Sequence, residues 1–308
     1  DVLAQAPVRV VFDQPMDTRP GAVRIAITPN VPLTVTWPAP DSLLVQAPPW
    51  QAGAPYRLTL EAARSRSGGR LAQPLALSFG QGGRGAPIPI LMYHHVMTLA
   101  PGATPLLRDL TVSPDDFAGH LDLLAGLGAH VVPLGEVVAY LEEGEPLPAR
   151  PVVLTFDDGY RSVYERAVPI LRARGLSATV FLAPYSAQYN AYMGWAQLKE
   201  LAGAGLTLGA HGYDHTHVDN LSDAEAQHQF AESRQIIEKM TGAPVLSFAY
   251  PGGHYSDRAM AQLAACGYRA AVTVVSDVYQ KPSRLLALSR IRMGYGEPPE
   301  KLRQQLPW

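Results

Sequence analysis

Two adjacent carboxylates, Asp157 and Asp158, end the apolar run Pro151-Val152-Val153-Leu154-Thr155-Phe156 and are followed by Gly159. Side by side such groups repel. A pair at the mouth of a core therefore has a cation to bind, an unequal sharing of protons, or both. His211 and His215 stand four residues apart in His211-Gly212-Tyr213-Asp214-His215, a spacing that lets both imidazoles face one point on a helical turn or a tight loop. One carboxylate added to them completes three ligands with an open position, the pattern of a catalytic rather than a structural zinc-type site. The plainer alternatives are a solvated Asp-Asp-Gly turn and chance spacing among nine histidines. Both motifs fall at expected strand ends of one domain, as does His254, and that coincidence favours a site.

The elements that must position these residues alternate. A strand is expected over Ile88 to Met92, running into Tyr93-His94-His95, and a helix opens at Ser113 as N-cap with Pro114 at its first position. Leu121, Leu124 and Leu127 continue its apolar face up to Gly128. Further strands are expected at Val131-Val132, Pro151 to Phe156, Ala178 to Leu182, Leu206 to Ala210, Val245 to Tyr250 and Ala270 to Val275. Helices are expected over Leu134 to Glu142, Tyr164 to Arg174, Trp195 to Ala204, Asp223 to Thr241 and Asp257 to Cys266. Repeated strand-helix alternation means parallel strands with right-handed crossovers, in an open sheet or a barrel, with the site at the carboxyl ends of the strands.

Ahead of this lies a different pattern. Val8 to Phe12, Leu33 to Trp37, Ser42 to Val45, Tyr56 to Leu60 and a last segment ending at Phe79 are short and bounded by Pro, Gly, Asp or Asn, which predicts an all-β sandwich over residues 1–80. Residues 81–87, Gln-Gly-Gly-Arg-Gly-Ala-Pro, read as a glycine-rich linker, with the α/β domain at 88–308. The 308 residues are 47% apolar with a net charge of -2 and no long basic block, which argues against nucleic acid or an anionic membrane as the main partner. No stretch approaches the roughly 18 apolar residues of a membrane span. The lone Cys266 excludes an intramolecular disulfide. A chain opening at Asp1 without Met is expected to have been processed, and an export signal is the expected missing piece, giving a secreted, periplasmic or envelope location.

Residues 86 to about 295 closely resemble the polysaccharide deacetylases, the NodB-homology domains of carbohydrate esterase family 4. The resemblance rests on Thr155-Phe156-Asp157-Asp158-Gly159-Tyr160, on His211-Gly212-Tyr213-Asp214-His215 and on Ser247-Phe248-Ala249-Tyr250-Pro251-Gly252-Gly253. Pro89-Ile90-Leu91-Met92-Tyr93-His94-His95-Val96 and Met193-Gly194-Trp195-Ala196-Gln197-Leu198 add to it, in the family's order. It implies a distorted (β/α) barrel and hydrolysis of N- or O-acetyl groups on a sugar polymer. By the same resemblance Asp157 is the general base, and Asp158, His211 and His215 hold a divalent metal, usually zinc, with Co2+ or Ni2+ as alternatives. Tyr250 and Gly252 line the sugar groove, with the Gly252 N–H as oxyanion donor, and Trp195 and Tyr213 are candidates for stacking on sugar rings. The N-terminal segment resembles the bacterial immunoglobulin-like modules of exported proteins.

Two departures from the family pattern stand out. The arginine that commonly follows Phe248 and orients the base is Ala249 here, and the block Leu288-Ser289-Arg290-Ile291-Arg292 has no histidine to serve as general acid. His254, next to the groove loop, is the expected acid, with His94 and His95 as the other candidates. The expected substrate is an N-acetylglucosamine-containing polymer of cell wall or exopolysaccharide. The alternatives are an O-acetyl xylan-type esterase and a carbohydrate-binding protein on an impaired deacetylase fold.

Overall fold

The computed structural model describes residues 8–28, 31–46, 56–71, 73–79 and 85–308. Residues 81–84 of the expected linker lie outside the described residues. The chain divides into two compact units, the first formed by residues before Gly85 together with Ala139–Pro146 and the second by Gly85–Val138 and Leu147–Trp308.

The first unit has strands β1 (Val8–Val11), β2 (Val23–Thr28), β3 (Thr34–Ala39), β4 (Ser42–Gln46), β5 (Tyr56–Ala63) and β6 (Leu75–Phe79). They make two antiparallel three-stranded sheets, ordered β1-β4-β3 and β2-β5-β6. Leu43 and Val45 of one sheet meet Ile27 and Leu58 of the other in a shared core, with Trp37 and Phe12 packed on it. Two sheets closing over apolar faces in this way form a sandwich, as the alternating pattern predicts. The strand over Val23–Thr28 is absent from the sequence-based expectation.

The second unit opens with β7 (Ala86–Pro87), residues expected in the linker, which instead pair with a strand near the far end of the chain. Then follow β8 (Ile90–Tyr93), β9 (His95–Val96), α1 (Pro105–Asp109), β10 (Thr111–Val112), α2 (Pro114–Gly126), β11 (His130–Val131), α3 (Leu134–Glu143), whose residues from Ala139 on count with the first unit, and β12 (Pro151–Phe156). A π-helical turn at Val163–Ala167 leads into α4 (Val168–Ala173), then β13 (Thr179–Leu182), α5 (Trp195–Gly203), β14 (Thr207–Ala210) and α6 (Asp223–Ala226). A second π-helical stretch, Gln227–Glu232, joins α6 to α7 (Ser233–Thr241). The chain ends with β15 (Ser247–Ala249), α8 (Asp257–Ala265), β16 (Ala270–Val272), β17 (Tyr279–Gln280), β18 (Ile291–Arg292) and α9 (Pro299–Gln305). The partner of β7 is β17. Local signals read correctly from sequence include the Ser113 cap, whose Oγ accepts from Asp116 N–H at 3.0 Å, and the left-handed Gly128 past the end of α2.

The central sheet runs β16-β15-β14-β13-β12-β8-β18, with β11 also on β12, and every pairing is parallel. After its first residue β12 is buried throughout, as a strand covered on both faces must be. The segment after Ala287 closes the sheet on itself. Leu288 bridges Val272 of β16 while Ile291 pairs with Leu91 of β8, so residues 288–292 span the two edges. The result is a distorted (β/α) barrel. Because its strands all point one way, the residues after β8, β12, β14 and β15 gather at one mouth.

Candidate active site

At that mouth a cleft of about 540 Å3 is lined by His94, Asp157, Asp158, His211, His215, Tyr250 and Gly252 among others. A hollow of about 580 Å3 on the sandwich unit is lined by Asp17, Arg19, Arg64 and Arg70. It lacks, among the described residues, any grouping of His, Cys or carboxylates able to hold a metal.

Asp158, His211 and His215 each offer one ligand atom, and the three lie within 4.8 Å of one another. The Asp158 Oδ1 is 3.3 Å from His211 Nε2 and 3.4 Å from His215 Nε2. Ligand bonds of about 2.0–2.1 Å around a tetrahedral zinc give donor-donor edges of about 3.3–3.4 Å. The two edges from Asp158 match this and the His211–His215 edge lies within 4.8 Å, so the donor types and their spacing suit such an ion with a small adjustment of His215. The ring of His211 is oriented by its own strand neighbour, with Nδ1–H donating to the Ala249 carbonyl at 2.7 Å and Nε2 left to face the carboxylate. An outer hydrogen bond of this kind fixes the tautomer of a metal-ligating histidine. His211 is buried, whereas the His215 side chain is 46% exposed, which leaves the cluster open on one side.

The backbone is held in unfavourable conformations here. Among the described residues only Arg150, Asp158 and His215 are non-glycine residues with positive φ, and two of these carry ligand atoms, at 70° and 68°. Such strain persists where the surroundings impose it and is concentrated at functional sites. Between the two histidines Gly212 has φ +74°, and a Cβ there would stand 2.8 Å from Gln229 Oε1. That oxygen is committed, accepting from Tyr213 N–H at 2.7 Å while Gln229 Nε2 donates to Asp214 at 2.9 Å. Buried Gln229 thereby pins the loop that delivers both imidazoles.

Asp157 is separate from the ligand cluster in its bonding. Buried Arg290 grips it with two parallel bonds, Nη1 to Oδ1 and Nη2 to Oδ2, both 2.7 Å. Arg290 also donates from Nε to the Thr273 carbonyl at 2.8 Å and from Nη1 to Thr155 Oγ1 at 3.1 Å. Burial pushes the Asp157 carboxyl up, but the Arg290 charge and hydrogen bonds outweigh it and hold it below the usual carboxylate value. Asp158 is likewise pushed up by burial and more strongly held down, first by its bond to His211. The departure at Ala249 is thus made good by an arginine from the barrel-closing segment, a role absent from the sequence reading.

The acid candidates separate. His94 lines the cleft with Nε2 4.0 Å from Asp157 Oδ2, and its buried Nδ1 has no protein partner. Burial lowers its pKa against the opposing pull of Asp157 and Asp158. His254, the expected acid, is exposed and stacks on His217 at 4.1 Å outside the cleft lining, because the left-handed turn at Gly252, φ +61°, directs the following chain against that ring. His95 bonds Ser162 at 3.1 Å and stacks on Tyr160 at 3.6 Å, also off the lining. Tyr250 lines the cleft while its hydroxyl donates to the Leu286 carbonyl at 2.9 Å. Trp195 packs against the barrel core, and the Tyr213 ring meets that of His228 at a tilt, centroids 4.2 Å apart; neither lines the cleft.

This fold and site define a hydrolase on a distorted (β/α) barrel. Residues 144–271 match the family model described as polysaccharide deacetylase. The Bacillus subtilis chain YxkH, itself assigned to these deacetylases by inference, is 28% identical over 211 residues, covering 68% of this chain and 73% of that one. A Streptococcus pyogenes deacetylase solved in complex with acetate superposes with a TM-score of 0.67 at 27% identity, covering 73% of this chain and 100% of that chain. A Bacillus anthracis structure covers 98% of both chains at TM-score 0.64 and 17% identity, a likeness of fold. A 30-residue match, 67% identical, links the chain to the Escherichia coli poly-beta-1,6-N-acetyl-D-glucosamine N-deacetylase over 10% of this chain and 4% of that one. Residues 144–271 thus carry a polysaccharide deacetylase domain, with likeness of sequence and fold extending beyond them. No helix of the described residues is long and apolar enough to cross a membrane.

Proposed function

We propose that this protein is a metal-dependent deacetylase of an N-acetylglucosamine-containing polysaccharide, in cell wall or exopolymer, releasing acetate. The observation that carries the reading is the division of labour between two neighbouring carboxylates. Asp158 joins His211 and His215 in one three-donor cluster, while Asp157 stays outside that set, held ionised by Arg290. A divalent cation, zinc foremost, supplies water activation and carbonyl polarisation when held by Asp158, His211 and His215. Asp157 takes the proton of the attacking water. The water oxygen bonds to the acetyl carbon, the amide C–N bond breaks, and the amine leaves with a proton from His94, whose Nε2 lies on the cleft lining 4.0 Å from Asp157 Oδ2. The Gly252 N–H at the cleft wall is the donor for the oxyanion.

The short, highly identical match to the E. coli poly-beta-1,6-linked polymer deacetylase supports an amino-sugar substrate. Export of the protein and an immunoglobulin-like, glycan-contacting role for the sandwich belong to the same proposal, since a glycan of wall or exopolymer lies outside the cytoplasm. The test is acetate release from a panel of poly-β-1,6-N-acetylglucosamine, peptidoglycan, chitin oligosaccharides and O-acetylated xylan. Release from the N-acetylated polymers is expected. Release from xylan alone, or from none of them, overturns the reading.

A further inference from the structure

Three tyrosines occupy one wall of the cleft, and the chemistry at its floor uses none of their rings. Tyr185, Tyr189 and Tyr192 all line it. Tyr185 and Tyr189 are 44% and 47% exposed, two of the few large apolar side chains left open among the described residues. Their rings meet edge to face at 5.7 Å. Tyr192 stacks on Tyr160 at 5.0 Å, and Tyr160 in turn lies beside Asp158, so the rings lead outward from the ligand cluster.

The backbone under these rings is fixed. A 3-10 turn, Pro184–Gln188, carries Tyr185, whose N–H donates to the Tyr213 carbonyl at 3.0 Å. Gln188 Nε2 returns to the Tyr185 carbonyl at 2.9 Å, and the N–H groups of Tyr189 and Tyr192 donate to Ser186 and Tyr189 at 3.0 Å each. Pre-ordered aromatic faces lose little entropy when a ligand settles on them. Topology sets a second apolar surface across the floor. β12 lies between β8 and β13, so the chain after β8, with exposed Leu106 and with Leu110, flanks Asp157 and Asp158 on one side and the tyrosine turn on the other.

A groove with exposed rings on one wall, an exposed leucine on the other and hydroxyls at the ring tips suits the alternating C–H faces and hydroxyls of a sugar chain. Arg292, the cation of the lining, is engaged by Asp109 at 2.9 Å, so the groove offers little to an anionic polymer. We propose that Tyr185 and Tyr189 form a subsite for the sugar unit flanking the one being deacetylated, which makes the enzyme selective for oligomers and polymers over single acetylated sugars. This rests on the glycan deacetylase reading above and specifies where the polymer is held.

The test compares Tyr185→Ala, Tyr189→Ala, the double variant and Tyr189→Phe on a pentamer of N-acetylglucosamine and on a small aryl acetate that fills the acetyl position alone. Each lost ring should lower the pentamer-to-aryl-acetate ratio of kcat/KM about three- to tenfold, chiefly through pentamer KM, the scale of one aromatic contact. Tyr189→Phe should keep most of the ratio. A loss on both substrates that leaves the ratio unchanged, or no change in pentamer KM, overturns the subsite. Those outcomes are distinct from failure of the glycan reading, in which the unaltered enzyme hydrolyses the aryl acetate but releases nothing from the pentamer.

Discussion

Replacing Arg290 by Met removes the cation that keeps Asp157 ionised while preserving side-chain length. Arg290 has 0% exposure and four hydrogen bonds to protein, two of them to the 3%-exposed Asp157 side chain. Breaking a buried pair by deleting one partner costs about 3–5 kcal/mol, because the remaining charge stays buried. For a unit of this size that corresponds to a melting point lower by roughly 6–20 °C. The pH dependence has a definite sign. In the native protein the Asp157 carboxyl is held below its unfolded value of 3.8. Its contribution is therefore fully present above that value and is lost only as pH falls through the lower, folded one. Without Arg290 the effect of burial is opposed only by the weaker pull of His211 and His94 and the carboxyl rises, so the deficit should grow between about pH 4.5 and about pH 8, and the acid limb of kcat/KM should move to higher pH. Calorimetric melts at both pH values and the rate profile read these effects. A melting point within about 2 °C of native together with an unmoved acid limb would refute the assignment of Arg290 to Asp157.

Other outcomes follow from the same geometry. His94→Gln should lower turnover roughly 10²- to 10⁴-fold with metal content retained, whereas His254→Ala should change turnover little, both read by acetate release. Gly212→Ala should destabilise by about 1–2 kcal/mol from its left-handed backbone and should weaken metal binding, since its Cβ would displace the Gln229 oxygen that orders the loop. Denaturant melts and metal titration check this.

The parts legible in the sequence are local. The apolar run into Asp157-Asp158, the His211 and His215 spacing, the Ser113 cap and the alternation of strands and helices each depend on a few neighbouring residues, and each has its counterpart in the structure. Arg290 was illegible because it reaches Asp157 across 133 residues of sequence, through a barrel closure that no periodicity announces. The same cause hides which acid candidate lies near the base. His254 is adjacent in sequence to the groove loop, but β8 is adjacent in space to β12, which brings His94 beside Asp157 instead. Trp195 has the chemistry of a sugar platform, yet it starts a helix whose apolar side turns to the core, while Tyr185, Tyr189 and Tyr192 line the cleft from a short 3-10 turn and the chain just after it, which carry no distinctive pattern. The π-helical stretches in two expected helices share the hydrophobic pattern of α-helix and are invisible to it.

The most direct measurement is metal content and acetate release on the same samples of native protein, His211→Ala and Asp157→Asn, before and after chelation. The account predicts about one tightly bound divalent ion per native chain, loss of turnover on chelation and its return on adding zinc. It also predicts that Asp157→Asn keeps the ion but loses turnover, and that His211→Ala loses both. Full acetate release by native protein shown to be metal-free would contradict it.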